Sequence, residues 1–189
     1  MELKLDPATT ALVVIDLQKS VVARETWPRP ASEVVAESAR LAARFRTAGA
    51  FVVLVNVAFS PDDRDRLKAI AEEPAPRGPF PPELSELAPE LDRQPSDLLI
   101  TKRQWGAFYG TDLELQLRRR GITTIVLTGI STNFGVESTA RDAWERGFSL
   151  VFVENGTAAL SPSAHEFAYA TVFPRIGLVR QADELSIED

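Results

Sequence analysis

Three short stretches of this chain carry residue types suited to acid–base and anion chemistry. Asp16 stands near the end of the apolar run TALVVIDL (10–17), and Lys102 directly follows DLLIT (97–101). The third stretch, Gly129-Ile130-Ser131-Thr132-Asn133-Phe134-Gly135, follows the apolar run TIVL (124–127). After it, Val136, Ala140, Ala143 and Trp144 recur at helical spacing until Gly147, a C-terminal stop. A carboxylate can give or take a proton, and an ammonium can hold negative charge beside it. The amides of a first helical turn can hold an anion or a developing oxyanion. Singly, each has a plainer reading: Asp16 caps a turn, Lys102 is solvated, and Gly135 eases a bend. Their shared placement at strand ends is the argument for a site.

That placement rests on the elements around them. TALVVIDL and FVVLVNV (51–57) are continuous apolar runs, which suit strands covered on both faces. DLLIT, TIVL, 149–153 and 176–179 supply four more strands. Val35, Ala39, Ala42, Ala43 and Phe45 predict a helix capped by Ser32 and stopped at Gly49. Thr111 and Glu114 predict a capping box for a second helix, with Leu113 and Leu117 inward and Arg118, Arg119 and Arg120 at its end. A further helix is expected over 161–173, beginning Ser-Pro-Ser. Strands alternating with helices predict an α/β fold, a parallel sheet with helices on both faces. In such sheets ligands bind beyond the carboxyl ends of the strands, where strand order reverses.

Residues 58–96 break the rhythm. Eight of the 13 prolines lie there, and only a short helix around 64–71 is suggested. A long excursion of this kind tends to be a lid, an interface or a decorated surface loop.

Composition narrows the classes. The chain has 189 residues, 44% of them hydrophobic, and a net charge of −6, which suits one domain over 1–189 and gives no nucleic-acid or polybasic membrane footprint. No apolar run approaches the ~20 residues of a membrane span, and the first ten residues lack a signal-peptide core. A cytoplasmic protein is expected. There are no cysteines and one histidine, His165, so thiol nucleophiles and Cys- or His-rich metal sites are excluded. No cofactor and no metal are expected.

Taken in order, Val14-Ile15-Asp16-Leu17-Gln18, Lys102 before Gly106-Ala107-Phe108-Tyr109-Gly110-Thr111-Asp112-Leu113, and Gly129-Ile130-Ser131-Thr132-Asn133 through Glu137-Ser138-Thr139-Ala140-Arg141 resemble the isochorismatase-like hydrolase superfamily. The resemblance spans nearly the whole chain. It implies a three-layer α/β/α sandwich around a Rossmann-like six-stranded parallel sheet, often assembled as a homodimer or homotetramer. It also implies an Asp–Lys–Cys triad at Asp16, Lys102 and position 135, and a cis peptide at Ile130–Ser131 that helps form an oxyanion hole from the amides of residues 131 and 135. Position 135 is glycine here, and the stretch 56–64 lacks the histidine of the nicotinamidase metal site. By resemblance, isochorismatases also carry glycine there and use the aspartate as an acid on a vinyl ether. The flanking Ser-Thr-Asn-Phe and Val-Glu-Ser-Thr look closer to the cysteine hydrolases. The expected substrate is a small anionic metabolite of the isochorismate type, with another cysteine-independent hydrolysis or a silent binding or assembly protein as alternatives. Asp16, Lys102 and Gly135 are the expected catalytic positions. Gln18, Arg103, Trp105, Phe108, Tyr109, Ser131, Thr132, Asn133 and Phe134 are the expected substrate contacts.

Overall fold

The computed structural model of the protein describes residues 2–74 and 80–188. In chain order its elements are β1 (Leu3–Leu5), β2 (Thr10–Ile15), α1 (Lys19–Val22), α2 (Ala31–Thr47), β3 (Phe51–Val57), β4 (Leu98–Lys102) and α3 (Leu113–Arg119). There follow β5 (Thr124–Ile130), α4 (Glu137–Glu145), β6 (Ser149–Ala158), α5 (Pro162–Phe167), α6 (Phe173–Ile176), β7 (Leu178–Arg180) and β8 (Leu185–Ile187). Six strands form one parallel sheet in the order β4-β3-β2-β5-β6-β7, while β1 pairs with β8.

The continuous apolar runs are explained by two cores. Ala11, Val13 and Ile15 join Val53, Val55, Ile125 and Leu127 on one face, under Leu113 and Leu117 of α3, Ala140 and Ala143 of α4, and Phe173. Leu12 and Val14 join Val52, Leu54 and Val126 on the other, under Val34, Val35, Leu41 and Phe45 of α2. Alternate residues of one strand therefore enter different cores, and neither face needs a polar side chain. The three-layer α/β/α sandwich is thereby built.

Several local expectations change. Helix α2 begins at Ala31 after Pro30, so Ser32 is an exposed helical residue and caps nothing. Its inward stripe is Val34, Val35, Ser38, Leu41, Ala42 and Phe45, which turns Ala43 outward. Trp144 is likewise exposed beside buried Ala140 and Ala143. The Thr111–Glu114 box does not form: Thr111 Oγ1 accepts from the Leu113 amide, while Glu114 pairs with Arg118 and Arg146. The helix expected over 161–173 is capped by Ser161 but opens into a π-type turn at Ala168–Val172 before α6. The last sheet strand, β7, starts later than the expected 176–179, and β6 runs five residues beyond 153.

In the 58–96 excursion, residues 75–79 lie outside the described residues. No helix forms at 64–71, where Leu67 and Ile70 are 69% and 105% exposed and give a helix no face to bury. The later part is strapped down. Ala88 and Leu91 enter the core, and buried Asn56 donates through Nδ2 to the Ser85 carbonyl at 2.9 Å.

Chain order reverses between β2 and β5, since β3 and β4 lie to one side and β6 and β7 to the other. Ile15 and Gly129 are paired across that junction. Gly129 has φ +122°, and a Cβ built there would stand 2.1 Å from the Ile15 carbonyl oxygen. Only glycine permits this approach. Gly129→Ala should destabilise the protein by more than about 4 kcal/mol, whereas Gly49→Ala, at a helix end with open space, should cost about 1 kcal/mol. Urea unfolding midpoints of the two variants check this; equal losses would contradict it.

Candidate active site

Asp16 is the first residue past β2 and takes a left-handed conformation, φ 54°. An aspartate tolerates this better than most residues, and the kink turns its side chain towards the carboxyl end of the sheet. Its amide still donates to the Val55 carbonyl at 3.0 Å, so the backbone remains tied to β3 as it bends. Lys102 ends β4, two strands from β2 with β3 between them. Two strand spacings of about 4.8 Å must be bridged, and a four-carbon stem can do it. Lys102 Nζ donates to Asp16 Oδ2 at 2.7 Å and to the Trp105 carbonyl at 2.6 Å, with the lysine only 1% exposed.

The other carboxylate oxygen, Oδ1, is buried and meets no hydrogen-bonding partner among the described residues. Burial pushes the Asp16 carboxyl up from 3.8 to about 6, and the charge and hydrogen bond of Lys102 only partly oppose it. The Asp16 carboxyl can therefore be protonated close to neutrality.

The third component closes over this pair. The Ile130–Ser131 peptide is cis, as the resemblance implied. The Ser131 carbonyl accepts from the amides of Phe134 at 3.1 Å and Val136 at 3.2 Å, making Thr132–Val136 a wide π-type turn that runs into α4. Gly135 lies hard against the ion pair. A Cβ there would be 2.8 Å from Asp16 Oδ2, 2.9 Å from Ile15 Cγ2 and 3.4 Å from Lys102 Nζ. Thr139, which sequence reasoning did not single out, donates to the Gly135 carbonyl at 2.7 Å and accepts from the Ala107 amide at 3.1 Å. It pins the turn to the loop after β4.

Asp16, Lys102 and Gly135 are therefore brought together, with Ser131 on the same turn. Trp105 and Phe134 meet with ring centroids 4.8 Å apart, and Trp105 is largely exposed. Asn133 accepts from the Ser131 hydroxyl at 2.9 Å. Five expected contacts stand elsewhere or are otherwise engaged. Gln18 is buried, with its amide nitrogen on Ser20, Val57 and Leu84 and its oxygen on the Val57 amide, so it braces the loop after β2 and has no group left for a ligand. Phe108 is core, 5.9 Å from the Phe148 ring. Tyr109 is 75% exposed, and Arg103 is paired with Asp65. Thr132 is fully enclosed and bonded to His165. His165 in turn reaches Glu154, a connection between residues too far apart in sequence to suggest itself. Among the described residues no group of three or more His, Cys, Asp or Glu is placed to hold a metal.

The raised Asp16 pKa has a stability consequence with a definite sign. Between about pH 4 and 6 the folded protein keeps the Asp16 proton while the unfolded chain releases it, so stability from this group falls as pH rises through that window. The change amounts to on the order of 3 kcal/mol. Asp16→Asn lacks it. The unfolding free energy of the variant relative to wild type should therefore climb from pH 4 to pH 6 and level off above, as followed by denaturant titration. A flat difference would contradict a raised pKa.

Comparison with known proteins agrees with this architecture. Residues 10–184 match the family model described as the Isochorismatase domain. The chain is 50% identical over 183 residues to an uncharacterized isochorismatase family protein, YecD, of Escherichia coli O157:H7, covering 97% of each. It is 46% identical to an isochorismatase family protein of known structure from Burkholderia thailandensis, with a TM-score of 0.91 over 94% of each chain. It is also 31% identical over 199 residues to the ureidoacrylate amidohydrolase RutB of Methylobacterium radiotolerans, covering 93% of this chain and 77% of that protein. With its sheet order and domain match, this chain belongs to the isochorismatase family of hydrolases.

Proposed function

We propose that the protein hydrolyses a small anionic vinyl ether of the isochorismate type, with Asp16 as general acid. The observation that carries this reading is the Asp16 carboxyl itself: buried, held by Lys102 through one oxygen, protonatable near pH 6 and unpartnered at Oδ1. A general acid works best with a pKa near the operating pH. An ammonium alone would have lowered it; desolvation outweighs that effect here. Asp16 would deliver its proton to the terminal carbon of the enol ether. Water would then trap the oxocarbenium ion, returning a proton to Asp16, and the hemiketal would collapse to pyruvate and the dihydrodiol. Lys102 would keep the carboxyl oriented and stabilise it once ionised. The amides of Ser131 and Gly135 would face the substrate's negative charge, and the Trp105–Phe134 pair would wall the apolar ring.

Hydrolysis through a thiol is incompatible with a chain that has no cysteine, whatever the relation to an amidohydrolase. The same reading takes residues 1–189 as one cytoplasmic domain, assembling as a homodimer or homotetramer. No helix among the described residues is long and apolar enough to cross a membrane.

The test is pyruvate release from isochorismate, coupled to a pyruvate-consuming reporter. Wild type should release pyruvate and Asp16→Asn should not; equal rates would remove Asp16 from the chemistry. For wild type, kcat/KM should fall about tenfold per pH unit above about 6, because only the protonated carboxyl is active. A rate that rises through pH 6 would instead make Asp16 a base that activates water. Gly135→Ala should lower kcat/KM about a hundredfold by displacing Asp16 while costing about 1–3 kcal/mol of stability. Unchanged kinetics in that variant would mean that the ion pair needs no such close seat.

A further inference from the structure

We propose that His165 is a positioning residue for the 131–135 turn: it grips Thr132, and Glu154 fixes its ring. The inference rests on reading that turn as the anion-holding part of the site. It begins with Glu154, at the irregular stretch of β6. Arg29 Nη2 donates to its two oxygens at 2.8 and 3.0 Å, Gln181 Nε2 to Oε2 at 3.1 Å, and His165 Nε2 lies 3.0 Å from Oε1. The His165 bond, with Arg29 and Gln181, outweighs burial and holds the Glu154 carboxyl down at about 2. Above that pH Glu154 can only accept, so Nε2 must carry the hydrogen. A neutral imidazole protonated at Nε2 has a bare Nδ1. With the ring neutral, as this proposal takes it, Thr132 Oγ1, 3.0 Å from Nδ1, is the donor.

This order of groups, hydroxyl to imidazole to carboxylate, is also that of a hydrolytic triad. Thr132 is fully enclosed, however, and with the ring in that tautomer its hydroxyl proton is committed to His165. It is neither a nucleophile nor a substrate contact. Its position in the chain gives it a different use, because it follows Ser131 directly and precedes Gly135 by three residues. A grip on its side chain fixes both amides that face the substrate's charge. The ring itself has little freedom. Tyr169 packs on it at 4.7 Å and shares a 2.8 Å hydrogen bond with Thr157 Oγ1, while Arg29 Nη1 clamps the Glu154 and Thr157 carbonyls at 2.8 and 2.6 Å.

His165 is the chain's one histidine, so its imidazole nitrogen spectrum is assigned without ambiguity. In wild-type protein at neutral pH, nitrogen-15 NMR should show a single tautomer with hydrogen on Nε2. The Nδ1–H form, an average of both, or a ring with hydrogen on both nitrogens would overturn the proposal. Thr132→Val and His165→Phe should each move the amide resonances of Ser131 and Gly135, and Thr132→Ser should restore them. Wild-type amide positions in Thr132→Val would overturn it, and that variant and the wild-type tautomer still decide if His165→Phe does not fold. In the pyruvate-release assay Thr132→Val should lower kcat about tenfold with KM within twofold; unchanged kcat would count against a positioning role. If wild type releases no pyruvate, the isochorismate reading fails, while the tautomer and amide measurements decide this one on their own.

Discussion

The buried contact between Lys102 and Asp16 is the constraint on which the rest of the structure depends. Removing two charges from water is costly, and the attraction between them offsets this only with good geometry. Here the geometry comes from the whole sheet. Lys102 must end β4 and reach past β3, whose Val57 is its pairing partner, and Asp16 must bend into a left-handed conformation beyond β2. The desolvation that remains is carried by Asp16 as a weakened acidity, and that residue is left able to hold a proton near neutrality. One physical cost thus becomes a chemical capacity.

Much of this is legible in the amino-acid sequence alone. Asp16, Lys102 and the 129–135 turn follow from apolar runs that end in chemically active residues, together with the rule that α/β sheets bind ligands past their strand ends. What failed did so for a common reason. Gln18 and Phe108 sit inside the motifs, yet motif membership does not say towards which side of the backbone a side chain turns. Gln18 turns into the loop after β2, and Phe108 into the core against Phe148. Thr111 and Glu114 had cap-box spacing, but Arg146, distant in the chain, competes for the glutamate. Arg29, Thr132, Glu154, His165 and Gln181 form one network from five separate segments, and nothing local in the sequence announces it.

The turn after β5 is held from two directions that share no residues. Thr139 ties the Gly135 carbonyl to Ala107, on the side of the β4 loop. Thr132 ties the opposite end to α5 and β6 through His165. Amides that are to hold charge must not drift as charge develops, since electrostatic stabilisation depends on donors fixed in advance. Two independent anchors on a five-residue turn would meet that requirement for the proposed chemistry.

Gly135 has an implication for how this protein can change. Its missing Cβ is space already taken by the Asp16 carboxylate and the Ile15 methyl. A cysteine arriving there by a single codon change would not find a vacant seat; it would push aside the very group it needs as partner. Passage between a thiol-free chemistry and a thiol-based one on this scaffold would therefore involve a shift of the Asp16 carboxylate, and a smaller residue at Ile15 would relieve the second contact. Position 135 and its neighbours would then vary together, and a thiol variant made alone would understate what the scaffold can do.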